Sequence, residues 1–316
     1  MAIIDQKITD KYAVYNGDCM EILPDLKKES IHFSIYSPPF SDLYNYSSSE
    51  RDLSNSKSYQ EFFDHYEYVV KEVHRVMFPG RICAVHCMDI PLRGDKGVCD
   101  FPGDIIRLHE RIGFYYTGRR VIWKEPLRMA IRTRSKGLMH KQIVKDSSLS
   151  DVAGADYLLT FRKIGENKIP IKNPLGLLRY AGDDKPSENL IKKYRNWKDP
   201  KTNKLSHFIW QRYASCAWYD IRIDNVLEYK KAKDSEEEKH VCPLQLDVIE
   251  RCIILWSNEG EIVLTPFMGV GSEVYCALLN DRKGIGIELK SSYYRQSIKN
   301  ISKAFMSSRR KIGLIK

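Results

Sequence analysis

The sequence predicts an α/β fold with one large core and an insertion, and three observations carry that prediction. Short β-rich apolar runs alternate with segments whose apolar residues recur at helical spacing. A βαβ unit with a glycine-rich first turn stands near the C-terminal end. Between residues 126 and 235 the periodicity weakens while charge and Pro/Gly punctuation rise, which marks an inserted module. At roughly 150 residues per domain, a chain of this length holds such a core together with its insertion.

Each element follows from local pattern. Tyr12 to Asn16 is extended, Gly17 and Asp18 turn the chain, Cys19 to Leu26 has helical spacing, and Ile31 to Tyr36 is a β-rich run ending at Ser37-Pro38-Pro39-Phe40. The Ser-rich stretch after it has the composition of a mobile surface loop. Phe62, Phe63, Tyr66, Val69, Val70, Val73 and Met77 form a helical stripe that stops at Pro79-Gly80. Ile82 to Val85 reads as a buried strand, Asp104 to Glu110 as a helix, and Tyr115 to Trp123 as a strand or hairpin. An acidic joint, Asp234 to Glu238, closes the inserted stretch. Beyond it come a helix over Leu246 to Trp256, a strand over Glu261 to Leu264, and a glycine turn over Phe267 to Ser272. A helix over Glu273 to Leu279, a strand over Gly284 to Leu289 and a last helix from Tyr293 to about Ala304 complete the pattern.

Composition narrows the class of function. The 316 residues carry 51 Lys plus Arg against 41 Asp plus Glu, a formal charge of +10 that favours a polyanionic partner. With 43% hydrophobic and 29% charged residues the chain is of ordinary globular composition. No apolar run reaches the ~18–20 residues of a membrane span, and the N-terminus lacks a signal-peptide core, so a soluble, cytoplasmic protein with no membrane partner is expected. The eight cysteines are scattered without CxxC spacing, which predicts reduced thiols and no metal site.

Two motifs carry chemistry. In Thr265-Pro-Phe267-Met-Gly269-Val-Gly271-Ser272 a strand meets two glycines and a helix start, so backbone can approach a ligand and helix N-terminal amides point at it. Glu288 ends the next strand, where an acidic side chain can accept ribose hydroxyls, and the pair suggests an adenosyl ligand. A turn of this kind also serves plain strand–helix packing. The third glycine of a dinucleotide fingerprint is replaced by Val274, which disfavours nicotinamide cofactors. In Ser37-Pro38-Pro39-Phe40 two prolines remove two backbone donors and leave carbonyl acceptors beside an aromatic face. That combination suits the exocyclic amino group of a base, although a Pro-Pro turn alone is common.

Taken together, these motifs resemble the β-class amino DNA methyltransferases, in which a (D/N/S)PP(Y/F/W) tetrad is catalytic and an FxGxG turn binds S-adenosylmethionine. Supporting segments match in order: Asn16-Gly-Asp18-Cys19, Ile122-Trp-Lys124, and His240-Val-Cys-Pro-Leu-Gln245. The resemblance implies a Rossmann-like, S-adenosylmethionine-dependent methyltransferase sheet in circularly permuted motif order, with an inserted target-recognition module. Residues 1–125 would be the catalytic half, 126–235 the target-recognition insertion, and 236–316 the cofactor half. It assigns Ser37, Pro38, Pro39 and Phe40 to catalysis, and Asp18, His240, Gln245, Thr265, Phe267, Gly269, Gly271, Ser272 and Glu288 to the cofactor. Thr265 stands where the family often has Asp, and Cys242-Pro243 where Lys-Pro is common.

The implied reaction needs no covalent intermediate. The two amino N–H groups of a flipped base would donate to Ser37 and to the Pro38 carbonyl, holding the nitrogen pyramidal for in-line attack on the methyl group, with the ring stacked on Phe40. Cytosine N4 is favoured over adenine N6 because Ser heads the tetrad; an RNA amino methyltransferase is a further alternative. A carbon-5 enzyme would need a Pro-Cys nucleophile, and Cys242 occurs in the reverse order.

Nine basic residues and one acid lie between Gly118 and Lys145, and Arg119, Arg128, Arg132, Arg134, Lys136 and Lys141 are the expected phosphate contacts to double-stranded DNA. A second basic run, Lys192 to Lys204, interleaves Tyr194 and Trp197. Either run could equally be a solvated basic face. No helicase or nuclease motif is visible, so any restriction enzyme would be a separate polypeptide, and a homodimer stays open.

Overall fold

The computed structural model describes residues 3–39, 56, 58–91, 97–133, 137–150, 154–232 and 243–311. The Ser-rich stretch after Phe40 and the acidic joint at 234–238 lie outside the described residues. In chain order the elements are β1 (Ile3–Ile8), β2 (Tyr12–Gly17), α1 (Cys19–Ile22), β3 (Phe33–Tyr36), α2 (Tyr59–Val76), β4 (Ile82–Met88), and a small hairpin of β5 (Ile90–Pro91) and β6 (Val98–Cys99). Then come α3 (Phe101–Ile112), β7 (Phe114–Ile122), α4 (Pro126–Thr133), α5 (His140–Lys145), β8 (Asp156–Lys163), α6 (Glu188–Tyr194), α7 (Lys204–Tyr213) and β9 (Ala217–Trp218). The chain closes with α8 (Leu246–Trp256), β10 (Ile262–Thr265), α9 (Ser272–Leu279), β11 (Lys283–Glu288) and α10 (Ser291–Lys311).

Among the described residues nine strands form one sheet in the order β1-β2-β11-β10-β3-β4-β8-β7-β9. The five strands from β2 to β4 run parallel, and β8 reverses the direction by pairing antiparallel with both β4 and β7. Period-two alternation divides β3 and β4 between two cores, as pleating requires. Tyr36, Cys83, Val85 and Cys87 pack with α2 and α3 on one face, while Phe33, Ile35, Ile82 and Ala84 pack with α8 and α9 on the other.

The helices begin and end where their caps dictate. Ser58 accepts from the Glu61 amide and opens α2, whose last turn carries His74 and Arg75. Asp100 accepts from the Gly103 amide, and Gly113 closes α3 at φ +115° in the left-handed region. These caps extend α3 by about one turn beyond the span expected from apolar spacing.

The inserted stretch differs from its sequence-based outline. Residues 126–235 contain β8, a central strand of the sheet, and β9 at its edge. Two segments therefore stand outside the sheet, 126–155 and 164–216. The second builds a small core of its own from Leu177, Tyr194, Leu205, Ile209 and Tyr213 and closes it against Ile254 of α8. The expected strand or hairpin over Tyr115 to Trp123 is the single strand β7, which pairs with β8 and, at its end, with β9.

At the N-terminal end of the parallel strands, Arg81 and Glu261 form a buried, two-pronged ion pair that ties the start of β4 to the start of β10. Asn258 donates to the same carboxylate from its main chain and its amide. Replacing Arg81 with Leu should destabilise the fold by roughly 3–5 kcal/mol, because Glu261 would keep a buried charge without its counter-ion. Urea unfolding checks this, and an unchanged midpoint would show that the pair adds nothing.

Candidate active site

Strand order places the site. From β10 the chain returns through α9 to β11 on one side, whereas β3 continues through α2 to β4 on the other, so the connections reverse between the neighbours β10 and β3. Ligands of open parallel sheets bind beyond the carboxyl ends of the strands at such a point. Ser37 follows β3 there, and Thr265 ends β10. Phe267 bridges the two, its ring 5.7 Å from that of Tyr36, the residue before Ser37.

On the β3 side a chain of polar contacts runs inward from Ser37. Its Oγ lies 3.2 Å from Nδ1 of His86 and 3.1 Å from the His86 carbonyl oxygen. Nε2 of the same ring lies 3.0 Å from Oδ2 of Asp156, which also receives Nζ of Lys124 at 2.7 Å. The sheet explains the grouping. Tyr36 is in register with Val85, so the next residues, Ser37 and His86, are neighbours. Asp156 begins β8 opposite Met88 and Ile122, and Lys124 comes two residues after Ile122. Burial by itself would raise the Asp156 carboxyl, but His86 and Lys124 outweigh it and hold the group well below the usual carboxylate range. Among the described residues no hydrogen bond reaches the Pro38 carbonyl, which leaves an acceptor beside Ser37. Phe40 lies outside the described residues.

The β10 side is built on backbone. Gly269 takes φ +55° and donates its amide to Oε2 of Glu288 at 2.8 Å, while Oε1 of Glu288 accepts from the Lys290 amide. Asn16 anchors the end of β11 by donating to the Glu288 and Leu289 carbonyls. Asp18 caps α1 through the Met20 amide, and its charge and that of Glu288 both act on the buried Cys19 thiol, which burial first of all pushes up. The two glycines have different reasons to be glycine. A Cβ on Gly269 would enter open space, whereas one on Gly271, at φ +93°, would come within 3.0 Å of Ile301 and 3.1 Å of Ser297 in α10. The first leaves room beside the turn, and the second lets α10 pack.

Among the described residues, the buried polar atoms without a hydrogen-bond partner include Oε1 of Gln245, Oγ1 of Thr265 and Oε2 of Glu273 in this half. Glu273 is pushed up to about 8 by burial, against a main-chain hydrogen bond that lowers it, with the charge of Glu288 adding to the rise. Unsatisfied buried groups beside an open glycine cradle fit a polar, cationic ligand, since each costs stability until something pairs it. Gln245 immediately precedes α8, and Ser272 opens α9 as a buried residue. His240 lies outside the described residues.

The basic run resolves into different environments. Arg119 is exposed on β7 with its guanidinium over the Tyr157 ring. Arg128 is exposed on α4 and pairs with Asp224 at 3.3 Å, and Lys141 is exposed on α5. Arg132 lies in the last turn of α4 with its side chain outside the described set, and Arg134 and Lys136 lie outside the described residues. Arg120 is turned inward over Trp218 and Trp256, and Lys124 is spent on Asp156. In the second run Tyr194 is buried in the local core, leaving Trp197 exposed.

His86 and Asp156 were not singled out by sequence. No motif surrounds them, and their roles depend on strand register across gaps of 49 and 70 residues. The short β-rich apolar run Tyr157-Leu-Leu-Thr-Phe161 was the available sign of a strand.

In this chain the neighbouring parallel strands of a mixed sheet end in a glycine turn and a Ser-Pro-Pro turn, and its relatives are DNA methyltransferases. The chain belongs to the N6/N4 DNA methylase family, whose model matches residues 31–299. It is an amino DNA methyltransferase, and its methyl donor is S-adenosylmethionine. Over 347 aligned residues it is 24% identical to the type II methyltransferase M.BglI of Bacillus subtilis, covering 97% of this chain and 90% of the relative. Among solved structures it is similar to the PvuII DNA methyltransferase, described as cytosine-N4-specific, at TM-score 0.60 and 16% identity over 98% of this chain and 96% of that one. A DNA modification methylase of Thermus thermophilus, complexed with S-adenosyl-L-methionine, matches at TM-score 0.60 and 20% identity over 94% and 95% of the two chains. Both structures share the fold.

The two glycines separate binding from stability. Gly269→Ala should weaken S-adenosylmethionine binding at a stability cost of about 1–2 kcal/mol for the left-handed backbone. Gly271→Ala should unfold at lower urea, because its methyl group also meets α10. Isothermal titration alongside urea unfolding checks the pair, and equal losses in both assays for both variants would contradict it. For Glu273 the sign comes from its raised value: the folded state holds a proton that the unfolded chain gives up near the ordinary carboxylate range. Stability without cofactor should therefore fall from that range up to about pH 8, and the fall should be absent in Glu273→Gln.

Proposed function

We propose that the chain methylates the exocyclic N4 of cytosine in duplex DNA, at a specific sequence, with the base flipped into the space between Ser37 and the glycine turn. The observation that carries this is the placement of Ser37 and the Pro38 carbonyl, which has no hydrogen bond among the described residues, at the end of β3 next to the end of β10. When bound, S-adenosylmethionine supplies an electrophilic methyl group. Gly269, Glu288, Gln245, Thr265 and Ser272 would hold it, with Asp18, His240, Phe267 and Gly271 completing that half. Ser37 and the Pro38 carbonyl accept from the amino group and fix its orientation, Pro39 keeps the turn rigid, and Phe40 stacks on the ring. Hydrogen bonds that strengthen as the nitrogen pyramidalises lower the barrier more than they tighten ground-state binding.

The choice of N4 rests on Ser at the head of the tetrad. Nucleoside digestion and mass spectrometry of DNA methylated by the protein should give N4-methylcytosine, and N6-methyladenine alone would refute the choice. Ser37→Ala should lower turnover far more than cofactor affinity.

The segments outside the sheet, 126–155 and 164–216, are read as the target-recognition part, with Arg119, Arg128, Arg132, Arg134, Lys136 and Lys141 on phosphates. Neutralising Arg132, Arg134 and Lys136 together should weaken DNA binding and flatten its salt dependence by about 0.9 of slope per lost contact. Cofactor affinity should be unchanged, and unaltered DNA binding across several salt concentrations would remove this run from the interface. A cytoplasmic location and a separate restriction enzyme belong to the same reading. A homodimer is open to sedimentation analysis. Among the described residues no helix is long and apolar enough to cross a membrane.

A further inference from the structure

We propose that His86 receives the proton lost by the target amino group, through Ser37, and that Asp156 and Lys124 set the tautomer that makes this possible. The inference rests on the amino-methylation reading above and adds a route for the proton, which that reading leaves without a destination.

The contacts of the ring constrain its tautomer. Asp156 is held ionised by Lys124 and can only accept, so Nε2 of His86 at 3.0 Å must carry a hydrogen and donate it. In the neutral ring Nδ1 then bears the lone pair. It faces Ser37 Oγ at 3.2 Å, so the single Ser37 hydroxyl hydrogen has two acceptors on one residue, Nδ1 and the His86 carbonyl oxygen at 3.1 Å, and the relay uses the rotamer aimed at Nδ1. The oxygen of Ser37 is left with its own lone pairs directed away from His86, free to accept from a base amino group. The arrangement is preset, because His86, Asp156 and Lys124 are all buried and the sheet fixes their register.

The step balances. As the nitrogen–methyl bond forms, the sulfur–methyl bond breaks with its electron pair left on sulfur, and the positive charge passes to the base. The amino N–H bond then breaks and its proton joins Ser37 Oγ, while the hydroxyl proton of Ser37 moves to Nδ1 of His86. The charge ends on an imidazolium whose Nε2–H already points at the Asp156 carboxylate. Nδ1–H now donates back to Oγ, and the Ser37 hydroxyl turns to the His86 carbonyl, which stands ready at 3.1 Å. That second acceptor on the same residue lets Ser37 change partners without moving. His86 acts through Ser37 and is a positioning and proton-accepting residue, not one that touches the base.

Three measurements test this on the full chain. In the cofactor-free protein, ¹⁵N NMR of the His86 ring, assigned by comparison with His86→Ala, should show the Nε2–H tautomer; an Nδ1–H ring overturns the proposal. In single-turnover methylation at saturating DNA and S-adenosylmethionine, His86→Ala and His86→Asn should both slow by roughly 100-fold, with both affinities kept within about twofold. Asn retains an acceptor for Ser37 but cannot take the proton, so a His86→Asn enzyme at the wild-type rate would overturn the transfer. The double variant Ser37→Ala/His86→Ala should be no slower than Ser37→Ala alone, since a relay is lost once; additive losses would show independent structural roles. If Ser37→Ala itself keeps the wild-type rate, the amino-methylation reading fails. If it slows and the His86 variants do not, only the relay fails.

Discussion

The pairing of β10 with β3 is the constraint on which the rest of this molecule depends. These strands lie some 230 residues apart in sequence, yet Val263 sits beside Phe33 and Leu264 beside Ser34. Their parallel alignment brings two carboxyl ends to the same level, one strand spacing of about 4.8 Å apart. The turn that leaves β10 must therefore meet the turn that leaves β3. One carries an open backbone cradle, and the other the Pro38 carbonyl and the Ser37 hydroxyl. Neither would be a site without the other, because methyl transfer needs donor and acceptor within bonding reach.

The pairing is secured from behind. Arg81 and Glu261 lock the opposite ends of β4 and β10, and the apolar residues of β3 and β4 are shared between two helical layers. A bidentate pair in a buried setting is a poor source of net stability but a strong constraint on register, because a shifted strand would leave both charges unpaired. The glycines of the turn work in the same direction. Gly271 admits α10 against the turn, so the cradle around Gly269 is held by packing and not by loop geometry alone.

Most of the parallel core was legible in the sequence, because its elements announce themselves locally. The stripe from Phe62 to Met77, the run from Ile31 to Tyr36 and the turn from Phe267 to Ser272 each show their period or punctuation within a short window, and each lies where expected. The features that stayed hidden depend on distant pairing. β8 falls in a stretch of mixed charge and weak period, so 126–235 looked like a single insertion although its strand sits between β4 and β7. Two of the basic residues counted toward a DNA-facing surface turned out to be internal. Arg120 lies over two tryptophans and Lys124 neutralises Asp156, and no local pattern distinguishes such residues from their exposed neighbours. The residues around Ser37 were hidden for the same reason, since a lone His in a buried strand has no spacing to recognise.

The reversal at β8 has a chemical meaning beyond topology. A parallel strand can bring only its carboxyl end to the site, so residues at its start are always at the far side of the sheet. An antiparallel strand next to β4 brings its first residue there instead, and in this chain that residue is Asp156. Flanked by the ends of β4 and β7, the carboxylate is covered on both sides and reaches His86 from one strand and Lys124 from just beyond the other. Burial of an acid at such a place would normally drive it to the neutral form. His86 and Lys124 together prevent this and keep the carboxylate an acceptor for both, which in turn orients the ring that faces Ser37. The polarity of the site is thus a consequence of strand direction: the reversed strand supplies the charge of Asp156, and the forward strands end in Ser37 and the glycine turn.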